Sequence, residues 1–552
     1  MRKCSLLFAS ACLIVFGAAP LCARAQSQPQ PQPDTVETFL RSQMQKRHIP
    51  GLQVAVIQHG KIVLLGAYGL ASVQESVPVT NQTVFAICSI TKAFTGVAIM
   101  QLVEAGKLDL AAPVSRYFDG LPADWQSVTI QRLLTNSSGI PNIMNNNTAN
   151  LVAEGDDAAW AKVQTMPMEF AAGERFSYSQ TNYLLLGRII DKLSGEPFTQ
   201  FFTERQLHVV EMPLTVFGDS HDVVPRGTRE YTFMRPVDGG VRRTDKLGNL
   251  FYEYSPFLLT AAGLNSTAEE MGRWIIALEQ GQLLREKTSL ETLWTPGRLN
   301  NGSPSGFSKL LNGYALGWPT VIRTEHRAVA PIGGGRSALF VYPDDDLAVV
   351  VLTNLQGANP EEFIDEIAGY YIPEMRASAG WGLAPSVKRL RTELMKRGFD
   401  RAPEVASELK NKDAKFQLAE NDLNVWGYRL IQEGQLKDAI EVFRLNVSLY
   451  PQSGIPTTAW QRLTRMPATR LQPSRITPDL WSWTPRTTTL RRNSSGLGLS
   501  APGMAPNSLA VFPGWLGQGE TAASSFSMRA LPVPICAKRT NILSISNRKM
   551  KL

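Results

Sequence analysis

The apolar positions of this chain gather in two pairs of runs set far apart. Leu52 to Gln58 and Lys61 to Tyr68 are rich in Val, Ile and Leu and flank His59-Gly60, which predicts a hairpin. Much later, Ser337 to Tyr342 and Leu347 to Thr353 flank Pro343-Asp344-Asp345-Asp346 in the same way. The unbroken Val349-Val350-Val351-Leu352 within them suits a strand covered on both faces. Between the two pairs the pattern is helical. Ala93, Phe94, Val97, Ala98, Ile99, Met100, Leu102 and Val103 leave almost no polar face before Gly106, so this helix is expected inside the molecule. Leu184 to Ile190 opens a second apolar helix that ends at Gly195, with Pro197 just beyond. Strands at both ends with helices between them predict an α+β fold, in which one antiparallel sheet is assembled from the two ends and flanked by helices, with a helical subdomain inserted.

At 552 residues the chain is too long for one ordinary domain, and a catalytic core with an appendage is expected. With 43% hydrophobic and 19% charged residues it reads as globular. Arg2 and Lys3, an apolar run from Leu6 to Phe16, and Ala23-Arg24-Ala25 predict a signal peptide over 1–25, hence a periplasmic or secreted protein. That run is too short and interrupted for a membrane span, so none is expected after cleavage. The Gln- and Pro-rich 26–34 reads as a flexible lead-in. Cys4, Cys12 and Cys22 leave with the signal, so only Cys88 and Cys536 remain and no disulfide framework exists.

The net charge of +8 suggests nucleic acid only until it is located. From residue 455 onward thirteen Lys and Arg face two acids, Asp479 and Glu520, a surplus larger than that of the whole chain. The remainder is therefore acidic, and no nucleic-acid partner is expected. His48, His59, His208, His221 and His326 are scattered without ligand spacing, so neither a metal nor another cofactor is expected.

Candidate chemistry begins at the mouth of the buried helix. Ser89-Ile90-Thr91-Lys92 places a hydroxyl and an amine one helical turn apart on one face, where a desolvated lysine can take the serine proton. Ser407-Glu408-Leu409-Lys410 matches the same spacing in a charged stretch, where it means a solvated helix. Further on, the polar, aromatic loop Ser177-Tyr178-Ser179-Gln180 feeds the second apolar helix, a position suited to a catalytic side chain.

Six segments in order resemble the serine β-lactamase and penicillin-binding-protein superfamily, in its class C β-lactamase, D-alanyl-D-alanine carboxypeptidase and esterase branch. They are Phe85 to Lys92, Leu133 to Pro141, Tyr178-Ser179-Gln180, Gly263 to Ala268, Tyr314 to Trp318 and Val351 to Asn354. The likeness spans 35–375 and implies a β-lactamase/transpeptidase-like fold and a serine hydrolase working through an acyl-enzyme. It implies Ser89 as nucleophile with Lys92 and Tyr178 sharing the proton work, the Tyr178 phenol being lowered enough by the nearby ammonium to serve as base. The family's second motif ends in Asn where this chain has Gln180, still able to donate to a substrate amide and to bond Lys92. Its third motif, a cation followed by Thr or Ser and Gly, aligns with Pro331-Ile332-Gly333, so the usual grip on a substrate carboxylate is missing. Arg336 is the candidate replacement. The amides of Ser89 and Gly334 are the expected oxyanion hole.

After a linker over 376–414, Leu423 to Tyr428, Gly434, Ala439, Phe443 and Pro451 are similar to one tetratricopeptide repeat over 415–454. Residues 455–552 then turn Pro-, Ser- and Arg-rich without periodicity, reading as a disordered extension or a reading-frame shift. The chain is thus expected to be an exported serine hydrolase acting on an ester, amide or β-lactam carbonyl, in a small-molecule or peptidoglycan-derived acyl substrate. The competing reading is a non-catalytic periplasmic binding or sensing protein that docks a protein partner through the repeat.

Overall fold

The computed structural model describes residues 33–144, 155–237, 240–376, 379–432 and 435–452. All lie in the first of the two units into which the chain divides, Met1–Gly514 and Trp515–Leu552. The expected signal peptide, most of the lead-in and the basic tail fall outside the described residues.

The central sheet is made of Gly51–Gln58 (β1), Lys61–Ser72 (β2), Val77–Pro78 (β3), Gly313–Tyr314 (β4), Pro319–Val321 (β5), Ala328–Val329 (β6), Ile332–Gly333 (β7), Ser337–Tyr342 (β8) and Leu347–Thr353 (β9). Its order is β3-β2-β1-β9-β8-β6-β5-β4, with β7 paired to β8. Both expected hairpins form, β1 with β2 and β8 with β9, and all these pairings are antiparallel. The two ends of the domain meet where β1 lies beside β9, from Leu52 opposite Thr353 to Gln58 opposite Leu347.

The seven residues of β9 are all buried because the sheet is covered on both faces. Ala348, Val350 and Leu352 enter one core, while Leu347, Val349 and Val351 enter the other. Each such side chain contributes roughly 1.5–3 kcal/mol by leaving water. The second core is closed by Val36 and Leu40 of Pro33–Arg47 (α1) and by Ile364 and Ile367. The first is closed by three helices: Thr91–Glu104 (α2), Gln180–Ser194 (α3) and Ala268–Glu279 (α4). As expected, α2 is buried almost throughout and α3 stops at Gly195, whose φ of 84° is left-handed. The hairpin of Tyr231–Val237 and Gly240–Asn249 joins Leu355–Gln356 in a separate three-stranded sheet.

Beyond residue 375 the structure corrects one expectation. The stretch read as a linker carries two helices, Pro385–Arg397 (α5) and Ala402–Lys412 (α6). Val387, Leu390, Leu394 and Val405 share a core with Leu423 and Trp426 of Glu420–Gln432 (α7) and with Val442 and Phe443 of Leu436–Leu449 (α8). The spacing of Val387, Leu390 and Leu394 is amphipathic, but charged neighbours dilute it to a weak signal. Pairing of α7 with α8 is a common helical arrangement and does not confirm the tetratricopeptide resemblance. Among the described residues no helix is long and apolar enough to cross a membrane.

Candidate active site

Ser89 sits in a single 3-10 turn, Cys88–Ile90, that runs straight into α2. Thr91 fixes this turn from within: its Oγ1 donates to the Cys88 carbonyl at 2.7 Å and accepts from the Leu264 N–H at 3.1 Å. The turn is thereby tied to the strand Leu264–Ser266, one of the segments that carried the family resemblance. Helix start and free amides together favour negative charge at the serine.

Lys92 lies one turn on and is 1% exposed. Its Nζ is 3.5 Å from Ser89 Oγ and donates to the Ala261 carbonyl at 2.7 Å. It also sits 4.6 Å from the centre of the Tyr178 ring and 5.0 Å from that of Tyr183. Burial pushes its pKa well below the ordinary lysine range, and among the described residues no ion pair offsets that loss. An amine whose proton is weakened by burial, beside a serine hydroxyl, is suited to act as a base.

Tyr178 hydrogen-bonds with the side chains of Ser89 and Gln180. Burial, reinforced by the neighbouring Tyr314 phenol, pushes its pKa well above the ordinary value. This reverses the expectation of a lowered phenol. The burial that disfavours the ammonium of Lys92 also disfavours a phenolate at Tyr178, so Tyr178 holds its proton. Its ring packs against Phe307 at 5.0 Å and Tyr314 at 6.3 Å.

The loop bearing Tyr178 is cradled by Leu133 to Pro141 and Asn142. Asn136 accepts the Ser177 N–H on its carbonyl at 2.9 Å and the Ser179 N–H on its Oδ1 at 3.2 Å. Asn142 Oδ1 accepts the Gln180 N–H at 3.0 Å, and its Nδ2 donates to the Tyr178 carbonyl at 3.3 Å. Gln180 is buried and meets Tyr178, while the hydrogen bonds of Lys92 go to Ser89 and Ala261. Among the described residues Gln180 Oε1 has no hydrogen-bond partner.

The third edge of the site is β7 and its turn. A Cβ on Gly333 would stand 2.0 Å from the Ile87 carbonyl oxygen, so only glycine permits this close approach to the Cys88–Ile90 turn. Gly334 follows with φ of 56° and is exposed. Pro331 is buried and Ile332 half-buried where the family carries its cation and hydroxyl. Arg336 does not replace them. It is 4% exposed, its Nη1 bonded to Glu230 Oε2 at 2.7 Å and its Nη2 to Cys88 Sγ at 2.8 Å. Its charge is thus spent on a buried carboxylate rather than offered to a substrate.

The structure brings Ser89, Lys92, Tyr178 and Gln180 together and sets Gly334 beside them. Sequence reasoning assigned no role to Ala261, Tyr183, Asn136, Asn142 or Glu230, although Asn136 and Tyr183 lay in segments singled out beforehand. Ser407 is exposed on α6, its hydroxyl donating to the Pro403 carbonyl.

The model of the Beta-lactamase family matches residues 36–370. Among curated proteins the chain is similar to protein flp of Staphylococcus aureus strain MW2, 27% identical over 356 residues, covering 62% of this chain and 67% of that protein. It is also similar to penicillin-binding protein 4* of Bacillus subtilis strain 168, 26% identical over 344 residues, covering 58% and 71%. Among solved structures, D-amino acid amidase from Ochrobactrum anthropi SV3 shares the fold, with a TM-score of 0.52 at 21% identity over 63% of this chain and 99% of that one.

Proposed function

Because the chain belongs to the β-lactamase family of penicillin-binding-fold serine hydrolases, we propose that it is an exported hydrolase that cleaves uncharged acyl esters through an acyl-enzyme on Ser89. What carries the reading is Lys92, a buried amine 3.5 Å from the Ser89 hydroxyl whose pKa burial lowers well below the ordinary lysine range. In acylation, Lys92 Nζ takes the Ser89 proton as Oγ attacks the carbonyl carbon. The oxygen charge that develops is met by the amides of Ser89 and Gly334. Tyr178 then gives its proton to the leaving oxygen and recovers one from the Lys92 ammonium. Water enters, gives a proton back along the same path, and releases the acid from the regenerated serine. The unpaired Gln180 Oε1 accepts an N–H of a substrate that has one.

Substrate choice follows from the third edge. A charge-assisted contact to a carboxylate is worth roughly 1.5–3 kcal/mol, so its loss at Pro331-Ile332 lowers affinity for carboxylate-bearing β-lactams about tenfold to a hundredfold. Short esters lose nothing. The competing view, a non-catalytic binding protein, has no use for a lysine buried at the expense of its charge.

The test is labelling of the purified protein with a fluorophosphonate and with a fluorescent penicillin, followed by peptide mapping and by turnover of p-nitrophenyl acetate. The adduct is expected on Ser89, with faster turnover of the ester than of any cephalosporin. Absence of label from both probes overturns the enzyme reading. Efficient cephalosporin turnover overturns the ester preference alone.

A further inference from the structure

Arg336 is the one cation of the glycine edge, and its surroundings give it a task. Its backbone N–H donates to the Gly333 carbonyl at 2.9 Å and closes the turn through Gly334 and Gly335. Its carbonyl accepts from both the N–H and the Oγ1 of Thr353, each at 2.9 Å, which fixes the turn to β9. Its guanidinium leaves the glycine edge and crosses to the nucleophile turn, reaching Cys88 Sγ at 2.8 Å. Glu230, held in turn by Thr228 Oγ1 at 2.8 Å, and the Tyr252 ring at 4.8 Å fix the guanidinium from the far side.

Cys88 immediately precedes Ser89 and has φ of 48°, a left-handed conformation that strains a residue with a side chain. That conformation persists only if its surroundings hold it, and it sets where the Ser89 amide points. The two oxyanion donors therefore ride on separate segments that meet across a seam, where a Cβ on Gly334 would stand 3.1 Å from Cys88 Sγ. Among the described residues side-chain bonds span this seam from Ser337 Oγ to the Ala86 carbonyl at 2.9 Å and from Arg336 to Cys88, the residue next to Ser89. A planar guanidinium can serve Glu230 and Cys88 at once, whereas an ammonium has its three donors on one atom.

We infer, on the strength of the acyl-enzyme reading above, that Arg336 is a positioning residue of the oxyanion hole: anchored on Glu230, it holds Cys88 and hence the Ser89 amide in register with Gly334. It touches no reacting atom and acts through Cys88. Removal of an oxyanion donor costs about 10²–10³ in turnover, and displacement of one is expected to cost about tenfold to a hundredfold.

The experiment uses the full chain with p-nitrophenyl acetate as substrate, active sites counted by fluorophosphonate, and a phenylboronic acid as a tetrahedral mimic on the serine. Arg336→Lys, Cys88→Ala and the double variant are compared with wild type. Each single variant is expected to lose about tenfold or more in kcat per titrated site, with KM within about threefold and boronate affinity reduced by a similar factor. The double variant is expected to fall no further than the worse single one. Should Arg336→Lys fail to fold, Cys88→Ala, which leaves the Arg336–Glu230 pair in place, carries the same test alone. If only the titratable fraction drops while kcat per site stays constant, or if the two losses add, the positioning role is overturned. Wild-type protein that takes no label overturns the acyl-enzyme reading and this inference with it; labelled wild type with unaffected variants overturns this inference alone.

Discussion

Replacing Lys92 with Met, a straight apolar side chain of similar length, is expected to separate activity from stability. Without a base for Ser89, acylation falls by about 10²–10⁴, which is roughly 3–5 kcal/mol of barrier. Stability moves the other way. The variant loses the bond from Nζ to the Ala261 carbonyl, worth about 1 kcal/mol. It also sheds the penalty of burying an amine that the unfolded chain holds protonated, about 1.4 kcal/mol for each unit by which the pKa is lowered. Burial lowers it well below the ordinary lysine value, so Lys92→Met is expected to be the more stable protein at neutral pH. The sign with pH follows. Below the folded pKa both states of the wild type hold the proton and its penalty is constant. Between that pKa and 10.5 only the unfolded chain holds it, and the penalty shrinks as pH rises. Urea midpoints of both proteins at neutral pH and at about pH 10 check this, with the advantage of the variant expected to narrow at the higher pH. A margin that does not change with pH would show that burial does not lower the Lys92 pKa and would refute the reasoning.

Ser89→Ala is expected to abolish fluorophosphonate labelling with an unchanged circular dichroism spectrum, while Ser407→Ala labels like wild type; equal labelling of all three proteins rules out Ser89. Tyr178→Phe and Lys92→Ala are each expected to slow acylation by on the order of 10² or more, and the pair together no more than the worse of them, since both serve one proton path. Unchanged turnover in Tyr178→Phe would reduce Tyr178 to a packing residue. Glu361 is a separate case, a buried carboxyl raised to about 7 chiefly by desolvation, with Oε2 unpaired. Its folded pKa lies above the unfolded one, so wild-type stability falls as pH rises from 4.5 to about 7 and stays low beyond. Glu361→Gln is accordingly expected to gain roughly 3 kcal/mol above that window and little below it, and a gain independent of pH in urea melts would refute the assignment.

Local periodicity made much of the frame legible. The hairpins β1–β2 and β8–β9 and the buried helix α2 each rest on a pattern contained within a dozen or so residues, and each pattern survives because burial on one or both faces enforces it. Helices α5 and α6 escaped because their short apolar stripes are interrupted by charge, and such stripes become decisive only when a partner core covers them. The pairing of the two ends of the domain was legible as a class of topology, but its register, Leu52 opposite Thr353, is set by packing that no local window contains.

In the site, Ser89 and Lys92 were readable because helical geometry converts a three-residue spacing into a contact. The chemistry of Tyr178 was not. Its direction of titration depends on whether the neighbouring amine is charged, and that is decided by the enclosure around Lys92 rather than by any neighbour in sequence. Arg336 shows the same limit more sharply. A cation on a glycine turn beside an active site invites a role in substrate binding, and position alone cannot say whether its charge is free. The partner that settles the matter, Glu230, lies 106 residues earlier, and the sulfur it also engages lies 248 residues earlier. An ion pair in which both side chains are about 5–6% exposed has little field left for a ligand. The role proposed for it is therefore geometric, and any selectivity for uncharged substrates would arise from what Pro331 and Ile332 fail to supply, not from what Arg336 repels.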